Sequence, residues 1–479
     1  MKGIWSKLES HERRFVLIIW LLALALRVGY AFTVDLIPAN YLGIDMDAVE
    51  YDWLGWSIAQ GHGVVTPFGD PTSLRFPAYL YFLGLVYFIF GHYHIAVLLV
   101  QALIGSLTPI LIYLTARQLF SLRVSQIAAA VGAIYPGFVY FVGWMMTENL
   151  FILWVSLLLY LTVSLKDGAS IRKLAVMGVL LGLLGLTRGM GIPFIGLIPL
   201  YILLRLNGKF RERLAKAALV FAMACLTLVP WTWRNYLVFH RLMLPSSEGG
   251  IVLWLGFNNI PVTHYETQEA YAYVDSVGRE RAKSEEFYRL LAVNNYSGLA
   301  AVQWIFELYY PQEPRPQSEP EGSERLGRKA MALLLQNPMA WVVKSITQAV
   351  RFWHVLDERA RFVNGYAFIL PFFLAGFWLL RNRIGELLPL YLYLIVLYAM
   401  AIVFSADARF RLPFEGVLIM VGAFGIERFL SVFRRVYWGY GILAVFFLFG
   451  FYLRLHSLQI RLVLRSIAGS LGFPLVEMQ

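Results

Sequence analysis

The run "FPAYLYFLGLVYFIFG", residues 76–91, decides how this chain is arranged. It holds about 16 mostly apolar residues and opens next to a proline, short of the roughly 20 that a helix needs to cross about 30 Å of hydrocarbon. If it crossed, the basic clusters Arg117/Arg123, Lys166/Arg172/Lys173 and Arg205/Lys209/Arg211/Arg213 would all face outward. If it lies in the membrane interface, every one of them faces the cytoplasm, where the positive-inside rule puts them. The charge pattern therefore selects an interfacial helix.

Outward from that run, the 479 residues are 59% hydrophobic and 15% charged, against about 25% charged in soluble domains. Continuous apolar runs predict an all-α polytopic membrane protein and exclude an alternating β-barrel. One span is expected over about 15–34, before the interfacial helix, with Arg27 marking it as an uncleaved helix rather than a signal peptide. Six follow at about 95–116, 124–143, 148–165, 173–187, 190–206 and 215–233, and four more at about 363–380, 386–404, 412–428 and 437–453. The expectation is about eleven spans in three parts. Residues 1–234 form a transmembrane module with a first external loop at 35–94, and 235–340 an extracytoplasmic loop. Residues 341–479 hold an amphipathic interfacial helix, "NPMAWVVKSITQAVRFWHV", and the last spans. The tract "PQEPRPQSEPEGSE", residues 311–324, reads as a mobile loop. The net charge of +11 is spread through short clusters between apolar runs, so it points to topology and not to nucleic acid. A lone cysteine, Cys225, rules out an intramolecular disulfide.

In this topology the ionisable residues outside the cytoplasmic clusters fall on the outer face. Asp45 and Asp47 stand in "GIDMDAVEYDWLGWSIAQGHG", residues 43–63, and Arg75 follows in the same loop. Glu148 ("WMMTENLF"), Arg188 ("LTRGMG"), Arg234 ("PWTWRNY"), and Arg409 and Arg411 ("SADARFRLP") complete the set. Charges at membrane depth are costly and face a cavity or one another. Each has a plain reading as well. Asp47-Ala-Val-Glu50 fits a capping box, Glu148 suits a helix N-terminus, and a lone arginine snorkels to headgroups. Taken together on one face, they suggest a site for a phosphate-bearing lipid and a proton. Asp-x-Asp spacing also suits a shared divalent cation, with Asp45 and Asp47 as the ligands if there is one; no organic cofactor is expected. The histidines show no zinc spacing, and "HYH" at 92–94 reads as interfacial. P-loop, dinucleotide and serine-nucleophile motifs are absent from the sequence.

The first-loop block, with "PTSLRFPAYLYFLGLVYFIFG" after it, resembles the GT-C glycosyltransferases. The branch it resembles is the bacterial RgtA-like and protein-mannosyltransferase-like one, related to the lipid A aminoarabinose transferase. "YPGFVYFVGWMMTENLF", "LTRGMGIPF", "VPWTWRNYLVFHRLMLPSSEGGIVLWLGFNN", "QNPMAWVVKSITQAVRFW" and "DARFRLPFEGVLIM" match further blocks in the same order. The resemblance implies a GT-C fold with interfacial helices in the first external loop. It also implies an inverting transfer of a sugar from a polyprenyl-phosphate donor to a hydroxyl of a glycolipid, polysaccharide or protein. Asp47, four residues before Tyr51, matches the proposed base, with Asp45 and Glu148 as further carboxylates. Arg75 and Arg188 look like ligands of the donor phosphate, joined by Arg409 and Arg411; Tyr51 and Arg234 are candidates for substrate contact. The expected location is a bacterial inner membrane, with the site facing the periplasm or exterior. A transporter or flippase of a lipid-linked substrate is the rival reading.

Overall fold

A computed structural model describes residues 8–34, 47–257 and 298–455, apart from 68, 166–167, 244, 337, 354–364, 405–407 and 434–435. Among the described residues no β-strand forms, and one antiparallel bridge joins Val65 to Pro71. The helices are α1 (Ser10–Thr33), α2 (Asp47–Ala59), α3 (Pro77–Phe90), α4 (His94–Gly105), α5 (Thr108–Leu119), α6 (Leu122–Ile134) and α7 (Pro136–Tyr140). Then come α8 (Glu148–Val163), α9 (Ile171–Thr187), α10 (Ile192–Arg205), α11 (Phe210–Phe239), α12 (Glu248–Phe257), α13 (Gly298–Tyr309) and α14 (Glu319–Gln336). The chain continues through α15 (Pro338–Phe352), α16 (Tyr366–Leu379), α17 (Ile384–Phe404), α18 (Ala408–Ser431) and α19 (Val436–Leu455).

By length and composition, four described helices suffice to cross a membrane: Ser10–Thr33, His94–Leu119, Phe210–Phe239 and Arg381–Val403. The expected span at 95–116 is the second of these, interrupted near Ser106 between α4 and α5. The expected span at 124–143 is bent by 45° where α6 meets Pro136, a residue that fixes its own φ and donates no backbone hydrogen bond. Shorter apolar helices such as Glu148–Val163 and Tyr366–Leu379 occupy further expected spans, so length alone does not reach the expected count.

Helix α3 is formed by the apolar run at 76–91. Tyr79, Leu80, Leu83, Val86 and Tyr87 are buried, while Tyr81, Leu85, Phe88 and Ile89 are exposed. One face packs on protein and the other is apolar and uncovered, the condition of a helix lying against lipid. Its inner face carries α2. A Cβ on Gly55 would stand 2.5 Å from the Leu83 Cβ, and one on Gly84 would stand 2.6 Å from the Ile58 Cγ2. The two backbones meet through glycines because no side chain fits between them.

The tract at 311–324 is not a loose loop. It opens into α14, and α12, α13 and α14 share a second core of Ile251, Trp254, Val302, Ile305, Phe306, Leu326 and Ala330. Leu74 of the first loop is buried in that core. The buried Glu319 accepts hydrogen bonds from the Thr72 hydroxyl (2.6 Å), the Ser73 N–H (2.9 Å) and hydroxyl (3.0 Å), the Ser247 hydroxyl (2.7 Å) and the Gly298 N–H (2.7 Å). Its charge is dispersed over donors from three segments. A composition rich in proline and glutamate looked solvated; one of those glutamates is instead the rivet of the loop that precedes Arg75.

Candidate active site

Several helices end at one place, and the charged residues are carried on those ends. Asp47 is the first residue of α2, Glu148 of α8 and Glu248 of α12. Arg188 is the C-cap of α9, Arg75 stands two residues before α3, and Arg409 is in the first turn of α18.

Arg75 is the hub. Its Nη2 donates to Asp47 Oδ1 at 2.5 Å, its Nε to Glu50 Oε2 at 2.6 Å, and its Nη1 to Glu248 Oε1 at 3.4 Å. The guanidinium lies 5.4 Å from the centre of the Tyr51 ring, and Tyr51 packs edge-on against Tyr79. Burial alone would make Arg75 less basic; Asp47, then Glu50, reverse this and hold it above its ordinary value. Burial pushes the Tyr51 phenol far up, so Tyr51 supports Arg75 as a neutral ring. Asp47 is gripped from its other side by Arg409, whose Nη1 donates to Oδ2 at 3.0 Å. The carboxylates that read as a capping box are thus both engaged by Arg75.

A second pair stands beside the first. Arg188 Nη1 donates to the buried Glu148 Oε1 at 2.5 Å. The Phe410 ring links the pairs, 4.8 Å from the Arg188 guanidinium and 5.2 Å from that of Arg409, a cation–π arrangement on both sides. Glu248 is the carboxylate with the weakest grip. Burial, and then the charge of Asp47, push its carboxyl up, while Arg75 pulls the other way.

Of the residues expected at a site, Asp47, Glu148, Arg75, Arg188, Arg409 and Tyr51 come together. Asp45 lies outside the described residues. Arg411 and Arg234 are placed elsewhere. Arg411 is fully buried between Glu415 (2.7 Å) and the Phe352 carbonyl (2.5 Å), with its guanidinium 3.5 Å over the Tyr366 ring, so it ties α18 to its neighbours. Arg234 donates to the Thr72 and Val64 carbonyls at 2.9 and 3.0 Å and stacks on Trp231, anchoring the first loop to α11. In "RFR" the two arginines are two residues apart and point to opposite sides of the helix start. Glu50 and Glu248 were not anticipated as site residues. Glu50 was absorbed by the capping-box pattern, and Glu248 sits in a polar stretch whose only signal was its place in the "PSSEGG" block.

His92 and His94, expected at the interface, face a buried carboxylate instead. His92 Nε2 lies 2.9 Å from Asp52 Oδ1 and His94 Nε2 lies 3.2 Å from Oδ2. Burial would raise the Asp52 carboxyl; His94 and then His92 overcome this and hold it well below its ordinary value. The Tyr87 hydroxyl also donates to Asp52. Among the described residues this is the group whose donors suit a metal. Asp47 fits a metal poorly, since both of its oxygens accept from arginine.

Residues 71–233 match the family model described as dolichyl-phosphate-mannose-protein mannosyltransferase. No curated protein matches the sequence significantly. The fold is similar to the Archaeoglobus fulgidus oligosaccharyltransferase in complex with Zn and sulfate, at 18% identity and a TM-score of 0.51, over 92% of this chain and 53% of that one. It is equally similar to the same organism's oligosaccharyltransferase AglB in complex with an inhibitory peptide and a dolichol-phosphate: 18% identity, TM-score 0.51, 93% of this chain and 55% of that one. The chain therefore spans only 53% of the archaeal structure it matches. ArnT from Cupriavidus metallidurans bound to undecaprenyl phosphate aligns more distantly, at 14% identity and a TM-score of 0.38, over 86% of this chain and 76% of that one. The comparisons thus show an all-α fold similar to that of the archaeal oligosaccharyltransferase, with a mannosyltransferase family match confined to residues 71–233.

Proposed function

We propose that the chain is an inverting glycosyltransferase, moving a sugar from a polyprenyl-phosphate donor to a hydroxyl acceptor on the extracytoplasmic face of a membrane. The observation that carries this is the convergence of Arg75, Arg188 and Arg409 with Asp47, Glu148 and Glu248 on helix ends at one place. Guanidinium forks suit phosphate oxygens. The N-termini of α2, α8, α12 and α18 are gathered with them and favour an anion.

The chemistry is a single displacement. The acceptor oxygen attacks the anomeric carbon as its proton passes to Asp47. The bond from that carbon to the phosphate oxygen breaks, and its electron pair leaves with polyprenyl phosphate. Charge on the leaving phosphate grows during this step, and we assign its stabilisation to Arg75, Arg188 and Arg409. Asp47 is clamped between two of those arginines. A phosphate drawing on Arg75 and Arg409 would loosen the clamp and free the carboxylate at the moment a base is needed. The family match to a protein-mannosyltransferase model and the fold shared with a dolichol-phosphate complex support this class of donor. A carrier of the same lipid would need charged groups reachable from both faces; the cluster sits at one set of helix ends, which favours the enzyme.

The test uses purified wild type, Asp47→Asn and Arg188→Ala in lipid, each checked for monodispersity, with a panel of polyprenyl-phosphate sugars and membrane glycolipids. Mass spectrometry would follow released polyprenyl phosphate. Asp47→Asn should lower turnover by about 10²- to 10⁴-fold. Equal release by wild type and Asp47→Asn would move the base to Glu248; transport of intact donor without release would sink the enzyme reading.

A further inference from the structure

We propose that Asp52, His92 and His94 bind one zinc ion, which clasps α2 to the start of α4. This inference is independent of the glycosyltransferase reading. The three side chains come from two segments 40 residues apart in sequence. Asp52 is in the body of α2, His92 in the short link after α3, and His94 is the first residue of α4. Their candidate ligand atoms all lie within 4.8 Å of one another, and the carboxylate–imidazole separations are 2.9 and 3.2 Å. Bonds of about 2.0–2.1 Å at tetrahedral angles put neighbouring ligand atoms about 3.3 Å apart. Both carboxylate–imidazole separations are within half an ångström of that spacing, and the two imidazole nitrogens, no more than 4.8 Å apart, would draw together on a metal.

The donor set selects the ion. Two imidazoles with one carboxylate suit zinc or a similar borderline cation and are poor ligands for magnesium or calcium, which take oxygen. The surroundings hold the ligands in place as a metal site requires. Trp56 stacks on His92 at 4.7 Å and 9°, Tyr87 stands edge-on to the same ring, and the Tyr87 hydroxyl donates to Asp52. The Asp52 side chain is 2% exposed and that of His92 27%. A divalent cation would balance the buried carboxylate at neutral pH, and the His92 edge offers both an entry path and a fourth position for water. In binding, each imidazole would offer its Nε2 lone pair to the metal as a neutral ring with its proton on Nδ1.

The consequence is positional. Asp52 is five residues beyond Asp47 on the same helix, so the ion would fix α2 against the α3–α4 junction and hold Asp47 on Arg75. The full chain, in lipid nanodiscs, would be equilibrated with zinc chloride, desalted and assayed for metal, then loaded with cobalt for visible spectroscopy. Thermal unfolding would be followed with and without a chelator. Wild type should retain one zinc per chain, show the ligand-field bands of a nitrogen–oxygen cobalt site, and lose thermal stability to the chelator. His92→Ala/His94→Ala should show none of the three. Should that double variant misfold, His92→Gln, which keeps a planar polar group on Trp56, should bind zinc at least about tenfold more weakly. Wild type holding no zinc, or zinc retained undiminished by the variants, would overturn the assignment and leave the cluster a hydrogen-bonded clasp.

Discussion

Arg75 and Arg409 grip the same carboxylate, yet their surroundings give them different duties. The Arg75 side chain is 8% exposed and also neutralises Glu50, at 2%. Arg75→Ala would leave Glu50 buried without that partner, at a cost of about 3–5 kcal/mol. Arg409, 22% exposed and facing an Asp47 at 19%, should cost about 1 kcal/mol or less on truncation. If it binds donor phosphate, Arg409→Ala should nevertheless lower donor kcat/KM by about 10²- to 10³-fold. Denaturation of both variants in detergent, beside donor kinetics, separates the two duties. Glu248 adds a pH test. Its folded carboxyl is raised above the ordinary value of about 4.3, so the stability it contributes is full below that value and is lost as pH rises through the folded one. Glu248→Gln does not titrate, so its Tm should gain on that of wild type as pH rises from acid towards neutral. A gap that is constant with pH would place Glu248 in ordinary surroundings.

At the scale of elements, the site depends on how tightly α2 lies on α3 and on what holds the first loop. Gly55→Val would drive a branched side chain into Leu83; overpacking of this kind costs about 1–3 kcal/mol. Because Asp47 is two turns away on the same helix, turnover should fall as well, with no catalytic group touched. Glu319→Leu would leave the hydroxyl and N–H donors of Thr72, Ser73, Ser247 and Gly298 buried around an apolar side chain. At about 1–3 kcal/mol for each buried group left unpaired, the loss should open the 71–75 segment to limited proteolysis, while Glu319→Gln retains part of the protection. Helix α2 could be read in the sequence as a helix with acidic residues at its start. That those residues meet Arg75, and not backbone N–H groups alone, could not, because a capping box and an ion-pair cluster write the same local pattern.

Over the whole molecule, apolar side chains line the outside of α1 and α3: Leu17, Ile18, Leu21, Leu22 and Leu26 on the first, Leu85, Phe88 and Ile89 on the second. Such surfaces are stable only in contact with lipid. The arrangement predicts sidedness. In a Cys225→Ser background, His62→Cys in the first loop should react with an impermeant thiol reagent from outside intact cells. Gln118→Cys, at the far end of the α4–α5 span, should react only after permeabilisation. The opposite pattern would invert the topology and place the charged cluster in the cytoplasm.

Span length, continuous apolar runs and the asymmetry of Lys and Arg are local properties, because the bilayer acts on each segment separately. They sufficed to predict an all-α membrane chain, to mark 76–91 as a helix shorter than a span, and to pick out five of the charged residues that meet. Pairing is not local. Whether Arg409 or Arg411 reaches Asp47, whether Arg234 meets a substrate or two loop carbonyls, and whether His92 and His94 face lipid or a buried carboxylate all depend on how helices cross. Those choices were made by packing, through glycine contacts such as Gly55 on Leu83 and the buried Glu319 that rivets a distant helix to the first loop.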